Sequence, residues 1–244
     1  MGLEQILLVL LGALAGGIVN GLTGFGTGIT AMGFWLYAVS PPVASALVLV
    51  CSAVSQTQTL PMIWGKVDWR RTLVFVVPGL MGVPIGAWLL PLIDPRTFKI
   101  GVGVLLVVYA SYVLVRKATL SSSFGGRLAD GTVGFGGGVL GGLSGLSGVL
   151  PVVWTDIRGW SKSERRTVLQ AFNLTILSAA LVSFAVSGLL TREVAMAAAA
   201  ALPGTVVGAW IGARAYQRLG DRGYQRIIMA LLLISGMMLL ATSW

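Results

Sequence analysis

Long apolar runs separated by short polar segments dominate the sequence. Residues 5–65 contain no charged side chain at all, although about 20 apolar residues are enough for a helix to cross a bilayer. The clear full-length runs predict membrane-spanning helices at residues 42–64, 72–91, 98–115, 166–189, 194–213 and 226–243. The pattern therefore predicts an all-α polytopic membrane protein.

Composition and charge narrow the class further. Only 10% of the 244 residues are charged, against about 25% in a soluble domain. The net charge of +9 comes from basic residues in short loops, where they act as topology determinants. Histidine is absent and Cys51 is the sole cysteine, which excludes histidine metal sites and an intrachain disulfide. Soluble, nucleic-acid-binding and disordered classes are excluded, and no cofactor is expected.

Two further apolar regions are interrupted by glycines. As one helix, residues 5–39 would be about 52 Å long, which exceeds a hydrocarbon core of about 30 Å. We therefore predict two short helices with a break at Asn20–Gly26. Residues 131–157 fit either one kinked span or a hairpin. A single crossing divides the basic residues 7 to 10 across the membrane, whereas a hairpin divides them 14 to 3, so cytoplasmic enrichment of Lys and Arg favours the hairpin.

The two halves of the chain share an ordered set of motifs. Residues 20–24 match residues 141–145 at an offset of 121, and the Pro-Gly…Gly-x-x-x-Gly-Ala segment at 78–87 matches that at 203–213. This order predicts repeats at 1–115 and 131–244, joined by a polar linker at 116–130. Each repeat would contain a glycine-broken hairpin and three spans. Because three is odd, the repeats are expected to be inverted, with both termini extracytoplasmic and the hairpin tips meeting near the midplane.

The glycine breaks are the predicted binding site. New helices are expected to begin near residues 27 and 148, and their first N–H groups lack intrahelical partners and carry partial positive charge. Such helix starts bind anions, here without requiring a buried cation. The predicted substrate-binding residues are Asn20, Gly21, Thr23, Gly24, Gly26, Thr27, Gln56, Gly142, Ser144, Gly145, Ser147, Gly148 and Asn173.

Each of these assignments has a structural alternative. Glycines also permit close helix packing, which is the expected role of the Gly82/Gly86 and Gly208/Gly212 pairs. Gln56 and Asn173 could equally hold helices together. Arg158 is interpreted as a positive-inside anchor paired with nearby Asp156. The eight acids lie at span ends or in loops, with no metal-ligand cluster or nucleophile triad, so neither an enzyme nor a cation pump is indicated.

Several segments together resemble a known family. They are the run Gly16–Gly26, the segment Gly65-Lys66-Val67-Asp68-Trp69 and the paired Pro-Gly…Gly-x-x-x-Gly-Ala motifs. Their order resembles that of TauE/SafE-type sulfite exporters. The resemblance implies a multi-pass protein of the bacterial inner membrane, a secondary transporter or exporter of sulfite, sulfonates, thiosulfate or related small sulfur anions.

The resemblance leaves several properties open. These are the exact anion, the direction of transport, coupling to protons or sodium, and the oligomeric state. The expected partners are a small anionic substrate and the lipid bilayer, with alternating access by rocking of the two halves. The alternatives are a transporter of another small metabolite and a non-transporting membrane scaffold subunit.

Overall fold

The computed structural model describes residues 2–90, 125–218 and 220–241, together with separate positions between residues 92 and 111. These residues form helices and no strand: α1 (Leu3–Thr23), α2 (Thr27–Ala38), α3 (Pro41–Thr59), α4 (Trp69–Leu89), α5 (Gly126–Ser144), α6 (Val149–Ile157), α7 (Lys162–Val186), α8 (Arg192–Arg218) and α9 (Asp221–Ala241). Two 3₁₀ turns, Leu60–Met62 and Trp64–Lys66, connect α3 to α4. The predicted span 98–115 and the linker portion 116–124 lie largely outside the described residues.

Five helices in the described part of the chain are long and apolar enough to cross a membrane. They are Leu3–Thr23, Pro41–Met62, Trp69–Leu89, Lys162–Val186 and Arg192–Arg218. The prediction of an all-α polytopic membrane protein is confirmed. The inverted orientation of the two repeats and the repeat boundaries stay predictions.

The first interrupted region folds into an antiparallel hairpin. The indole N–H of Trp35 on α2 donates to the Val9 carbonyl oxygen of α1 over 2.9 Å, and Gly16 of α1 lies against Ala31 and Thr27. The first arm is longer than the sequence predicted, because α1 has 21 residues and a length of about 31 Å. The hairpin therefore combines one arm of full membrane-spanning length with a shorter second arm.

The second interrupted region also turns back on itself. Leu150 of α6 lies beside Gly136 of α5, and the indole N–H of Trp154 donates to Asp130 over 2.7 Å. Contacts between residues that are progressively farther apart in sequence show that α6 returns alongside α5. The hairpin interpretation of residues 131–157, rather than a single kinked span, agrees with these contacts.

Glycine faces join each hairpin to a helix of the other half of the chain. A Cβ at Gly212 of α8 would lie 2.0 Å from the Ile18 carbonyl oxygen of α1, and one at Gly86 of α4 would lie 2.0 Å from the Val139 carbonyl oxygen of α5. Side chains at these glycines would prevent the backbones from approaching so closely. The predicted packing role of Gly82/Gly86 and Gly208/Gly212 is confirmed, and the pairs α1–α8 and α5–α4 are reciprocal.

Helix α7 begins earlier than its apolar stretch. The Ser161 hydroxyl accepts from the Glu164 N–H over 3.3 Å, and the Glu164 carboxylate accepts from the Ser161 N–H over 3.0 Å. This capping box satisfies two backbone donors at the helix start. Residues 162–165, which the sequence analysis placed before the span, therefore form the first turn of α7 and carry Arg166 into the packed interior.

Candidate functional site

The first break closes α1 and starts α2 within three residues. Gly24 adopts a left-handed conformation, with φ +80°, and its N–H donates to the Asn20 carbonyl oxygen, as is common where helices end at glycine. Across the break, the Asn20 amide donates to the Thr27 hydroxyl over 2.8 Å. Thr27 begins α2, where the sequence analysis expected a new helix. Asn20 and Thr27 thus tie together the two arms of the first hairpin tip.

The second break ends its first helix in the same way, at the offset found in the sequence. Gly145, 121 residues after Gly24, is also left-handed, with φ +73°, and its N–H donates to the Gly141 carbonyl oxygen. Helix α6 begins at Val149, one residue from the expected start. The two breaks therefore share a sequence motif and the left-handed glycine that ends the first helix, whereas the residue before the second helix is left-handed at Gly26 and right-handed at Gly148.

The two hairpin tips contact each other. A Cβ at Gly28 would lie 3.0 Å from Leu146 Cδ2, and a Cβ at Gly148 would lie 3.0 Å from Phe25 Cβ. The breaks from the two halves thus meet in space, as the sequence analysis expected. Their immediate contact is apolar, through Phe25 and Leu146, with polar side chains alongside.

Asn173 of α7 connects the two breaks. Its amide oxygen accepts from the Ser147 hydroxyl over 2.6 Å, and its amide N–H donates to the Gly24 carbonyl oxygen over 3.4 Å. Its side chain is 1% exposed. One carboxamide therefore contacts both interrupted segments, which places Asn173 at the centre of the candidate site.

Gln56 of α3 and Gln170 of α7 lie together beside the first break. The Gln170 amide donates to the Gln56 carbonyl oxygen over 3.2 Å and to the Thr59 hydroxyl over 2.8 Å. Gln170 Oε1 lies 3.5 Å from the Cβ position of Gly24. That oxygen and both polar atoms of the fully buried Gln56 side chain have no hydrogen-bond partner. Because buried polar atoms normally find partners, these three atoms indicate a place for a polar ligand or water.

Five other predicted site residues make their contacts within the protein, with backbone atoms or in the turn itself. The Thr23 hydroxyl lies 2.9 Å from the Val19 carbonyl oxygen, and that of Ser144 bonds the Leu140 carbonyl oxygen over 3.4 Å. Gly21 and Gly142 face opposing backbones, since a Cβ at either would lie 2.2 Å from a carbonyl oxygen. Gly26, left-handed at φ +95°, is required by the turn itself. These five residues shape the breaks, whereas Asn20, Gln56, Ser147 and Asn173 supply the side-chain polar atoms.

Sequence reasoning missed the cation nearest to the first break. Arg166 is the first residue of the predicted span 166–189 and one of the 14 basic residues assigned to the cytoplasmic side, but its side chain is fully buried. Its guanidinium donates to the carbonyl oxygens of Leu22 and Gly21 over 2.7 and 2.8 Å. A buried cation therefore lies beside the first break, where the sequence analysis expected none. Positions 166, 170 and 173 have the i, i+4, i+7 spacing of one helix face, and that signal could have identified Arg166 and Gln170.

The predicted pairing of Arg158 with Asp156 is also wrong. Arg158 pairs with Asp130 of α5, and Asp156 pairs with Arg165 of α7. All four side chains are buried or nearly so. Arg158 reaches Asp130 because α6 folds back along α5, a tertiary effect that outweighs its proximity in sequence to Asp156. A cavity of about 620 Å³ adjoins this pair, lined also by Arg71, Arg127, Trp160 and Glu164.

The family of the chain follows from its match to a family model. A family model described as "Sulfite exporter TauE/SafE" matches residues 8–239, nearly the whole chain. The chain belongs to the TauE/SafE family. No curated protein and no solved structure matches it in the corresponding comparisons.

Membership of the TauE/SafE family, together with the apolar helices, makes the chain a multi-pass membrane protein of a transporter family. The family implies transport of sulfur anions such as sulfite. The described residues contain no group of three or more His, Cys, Asp or Glu side chains placed to hold a metal ion. What the site offers instead is backbone amides, carboxamides, hydroxyls and one buried guanidinium, a set suited to binding an oxyanion.

Proposed function

We propose that this TauE/SafE protein is a secondary transporter or exporter of small sulfur oxyanions, with sulfite or an organic sulfonate as substrate. The proposed binding site lies where the two hairpin tips meet. Its ligands are the N–H groups that start α2 and α6 and the side chains of Asn20, Gln56, Ser147 and Asn173. Discontinuous helices that place their N-termini at an anionic group are a recurrent device of secondary transporters.

The observation that supports this proposal most strongly is the unpartnered polar side chain beside the first break. A helix start alone satisfies its donors with water or with a neighbour. Here Gln56 is fully buried and neither of its amide atoms has a partner, while Gln170 Oε1 points toward Gly24. The Gln56 amide N–H can donate to an oxyanion, and the hydration water of that anion can donate to the two carboxamide oxygens.

Access to this site requires a conformational change. Asn20, Gln56, Ser147 and Asn173 are each at most 1% exposed, so the structure represents an occluded arrangement of the site. We propose that the protein resides in a bacterial inner membrane with both termini extracytoplasmic, as the 14 to 3 distribution of basic residues supports. The proposal leaves proton or sodium coupling to experiment.

Transport by the purified protein tests the proposal. Proteoliposomes containing the wild-type chain are expected to exchange radiolabelled sulfite, and unlabelled methanesulfonate should compete whereas the neutral dimethyl sulfone and the cation choline should not. Absence of sulfite flux would favour a scaffold role. Competition by choline, or by the sulfone as well as by the sulfonate, would indicate another substrate class.

A matched pair of serine variants locates the site. Ser147→Ala removes the hydroxyl that donates to Asn173, and about a three- to tenfold loss of sulfite affinity is expected for one hydrogen bond. Ser187→Ala changes an exposed serine at the end of α7 and should leave affinity unchanged. Equal affinities in the two variants would exclude Ser147 from the site.

A further inference from the structure

The buried guanidinium of Arg166 lies at the negative end of α1. It donates hydrogen bonds to the carbonyl oxygens of Gly21 and Leu22, in the last turn of that helix. The ring of Tyr216, on α8, lies 3.8 Å from the guanidinium carbon. A side chain with no exposed surface is therefore held between a helix terminus and an aromatic face.

This position changes the electrostatics of the first break. The carbonyl end of a helix carries about half a negative charge, which would repel an anion approaching the start of α2 from the same tip. A full positive charge at those carbonyls more than offsets the negative end of α1. The first hairpin tip then presents a net positive field, to which the N-terminus of α2 adds.

Arg166 also belongs to the face of α7 that borders the candidate site. Its Cγ lies 3.6 Å from the Cβ position of Gly24, and Gln170, one turn further along, lies 3.1 Å from the same position through its Cβ. Asn173 follows on that face and bonds the Gly24 carbonyl oxygen. Arg166 and Gln170, whose Oε1 has no hydrogen-bond partner, are thus one helical turn apart along the face of α7 that borders Gly24.

We infer that Arg166 is the fixed counter-charge of the transported anion. It acts through its charge: it neutralises the carbonyl end of α1 and attracts the oxyanion to the adjacent amides and carboxamides. This inference rests on the proposed function. It adds a full positive charge, that of Arg166 on α7, to the partial charges of the backbone amides.

Charge-keeping and charge-removing variants test the inference. At an effective dielectric of about 20, a unit charge about 8 Å from the anion corresponds to about a 30-fold change in affinity. Arg166→Gln should weaken binding of sulfite and methanesulfonate to the purified protein by about that factor, whereas Arg166→Lys should remain within a few-fold of wild type. Arg71→Gln removes an exposed arginine and serves as the control with the same loss of net charge.

A second neutral variant separates charge from structure. Arg166→Met keeps an unbranched, flexible side chain that can pack beside Tyr216 but removes the charge. Its affinity for methanesulfonate should fall by the same factor as that of Arg166→Gln, while that of Arg166→Lys stays close to wild type. This test remains decisive if Arg166→Gln does not fold.

The outcomes distinguish the two proposals. Equal affinities in Arg166→Gln and Arg71→Gln, or equal affinities in folded Arg166→Met and Arg166→Lys variants, would overturn the counter-charge role while leaving sulfite transport intact. A wild-type protein that binds neither anion would overturn the proposed function and, with it, this inference.

Discussion

The glycine contact between α4 and α5 allows a quantitative test of how closely the helices pack. A Cβ at residue 138 would lie 1.9 Å from the Gly79 carbonyl oxygen, whereas ordinary contact begins at 3.4 Å, so Gly138→Ala would require the backbones to separate by about 1.5 Å. The opposing atoms are backbone and cannot move aside as a side-chain tip can. We expect Gly138→Ala to lower the free energy of unfolding by about 1–3 kcal/mol or more.

Gly131 provides a control on the same helix. A Cβ there would meet Pro78 Cγ at 3.5 Å and the Val74 carbonyl oxygen at 3.8 Å, both ordinary contacts. Since alanine is favoured over glycine within a helix by about 0.5–1 kcal/mol, Gly131→Ala should be neutral or slightly stabilising. The measurement is reversible unfolding in mixed detergent micelles, with the two variants compared under one set of conditions. A Gly138→Ala protein as stable as Gly131→Ala would refute the close-packing argument.

Three further substitutions have expected outcomes. Gly24→Ala places a side chain at φ +80° and should lower thermal stability by the equivalent of about 1–2 kcal/mol; unchanged stability would show that the turn can relax. Asp130→Asn leaves the buried Arg158 without its carboxylate and should lower the free energy of unfolding by about 3–5 kcal/mol. Asp68→Asn, in an exposed pair, should lower it by at most about 1 kcal/mol. Similar melting temperatures in the two variants would contradict this expectation. Asn173→Leu removes the link between the breaks and should abolish most sulfite flux in proteoliposomes, whereas wild-type flux would exclude Asn173 from the site.

The helix breaks were predictable from local sequence. A glycine that ends a helix in the left-handed conformation leaves a signal within a few residues, and the repeated motif around Gly24 and Gly145 located both breaks, although α1 continues through Asn20–Thr23, where the break was expected to begin. The burial of Gln56 and Asn173 also followed from their position within apolar spans. These features depend on short-range conformational preference and on the cost of exposing polar groups to lipid.

The position of Arg166 was missed because charge was used only to assign sides of the membrane. The Ser161–Glu164 capping box is visible in the sequence as S-x-x-E, and this motif correctly predicts that α7 begins at residue 162. The pairing of Arg158 with Asp130 depends on α6 folding back on α5. Which glycines face another backbone, as Gly21 and Gly142 do, also depends on tertiary partners.

The reciprocal contact of each hairpin with a helix from the opposite half affects how the protein can move. Helix α1 is joined closely to α8, and α5 to α4, with backbone against backbone along the glycine faces. Separating the N-terminal half from the C-terminal half as rigid blocks would have to break both contacts at once. The bodies that shift during alternating access are therefore expected to be composite units, each drawing helices from both ends of the polypeptide.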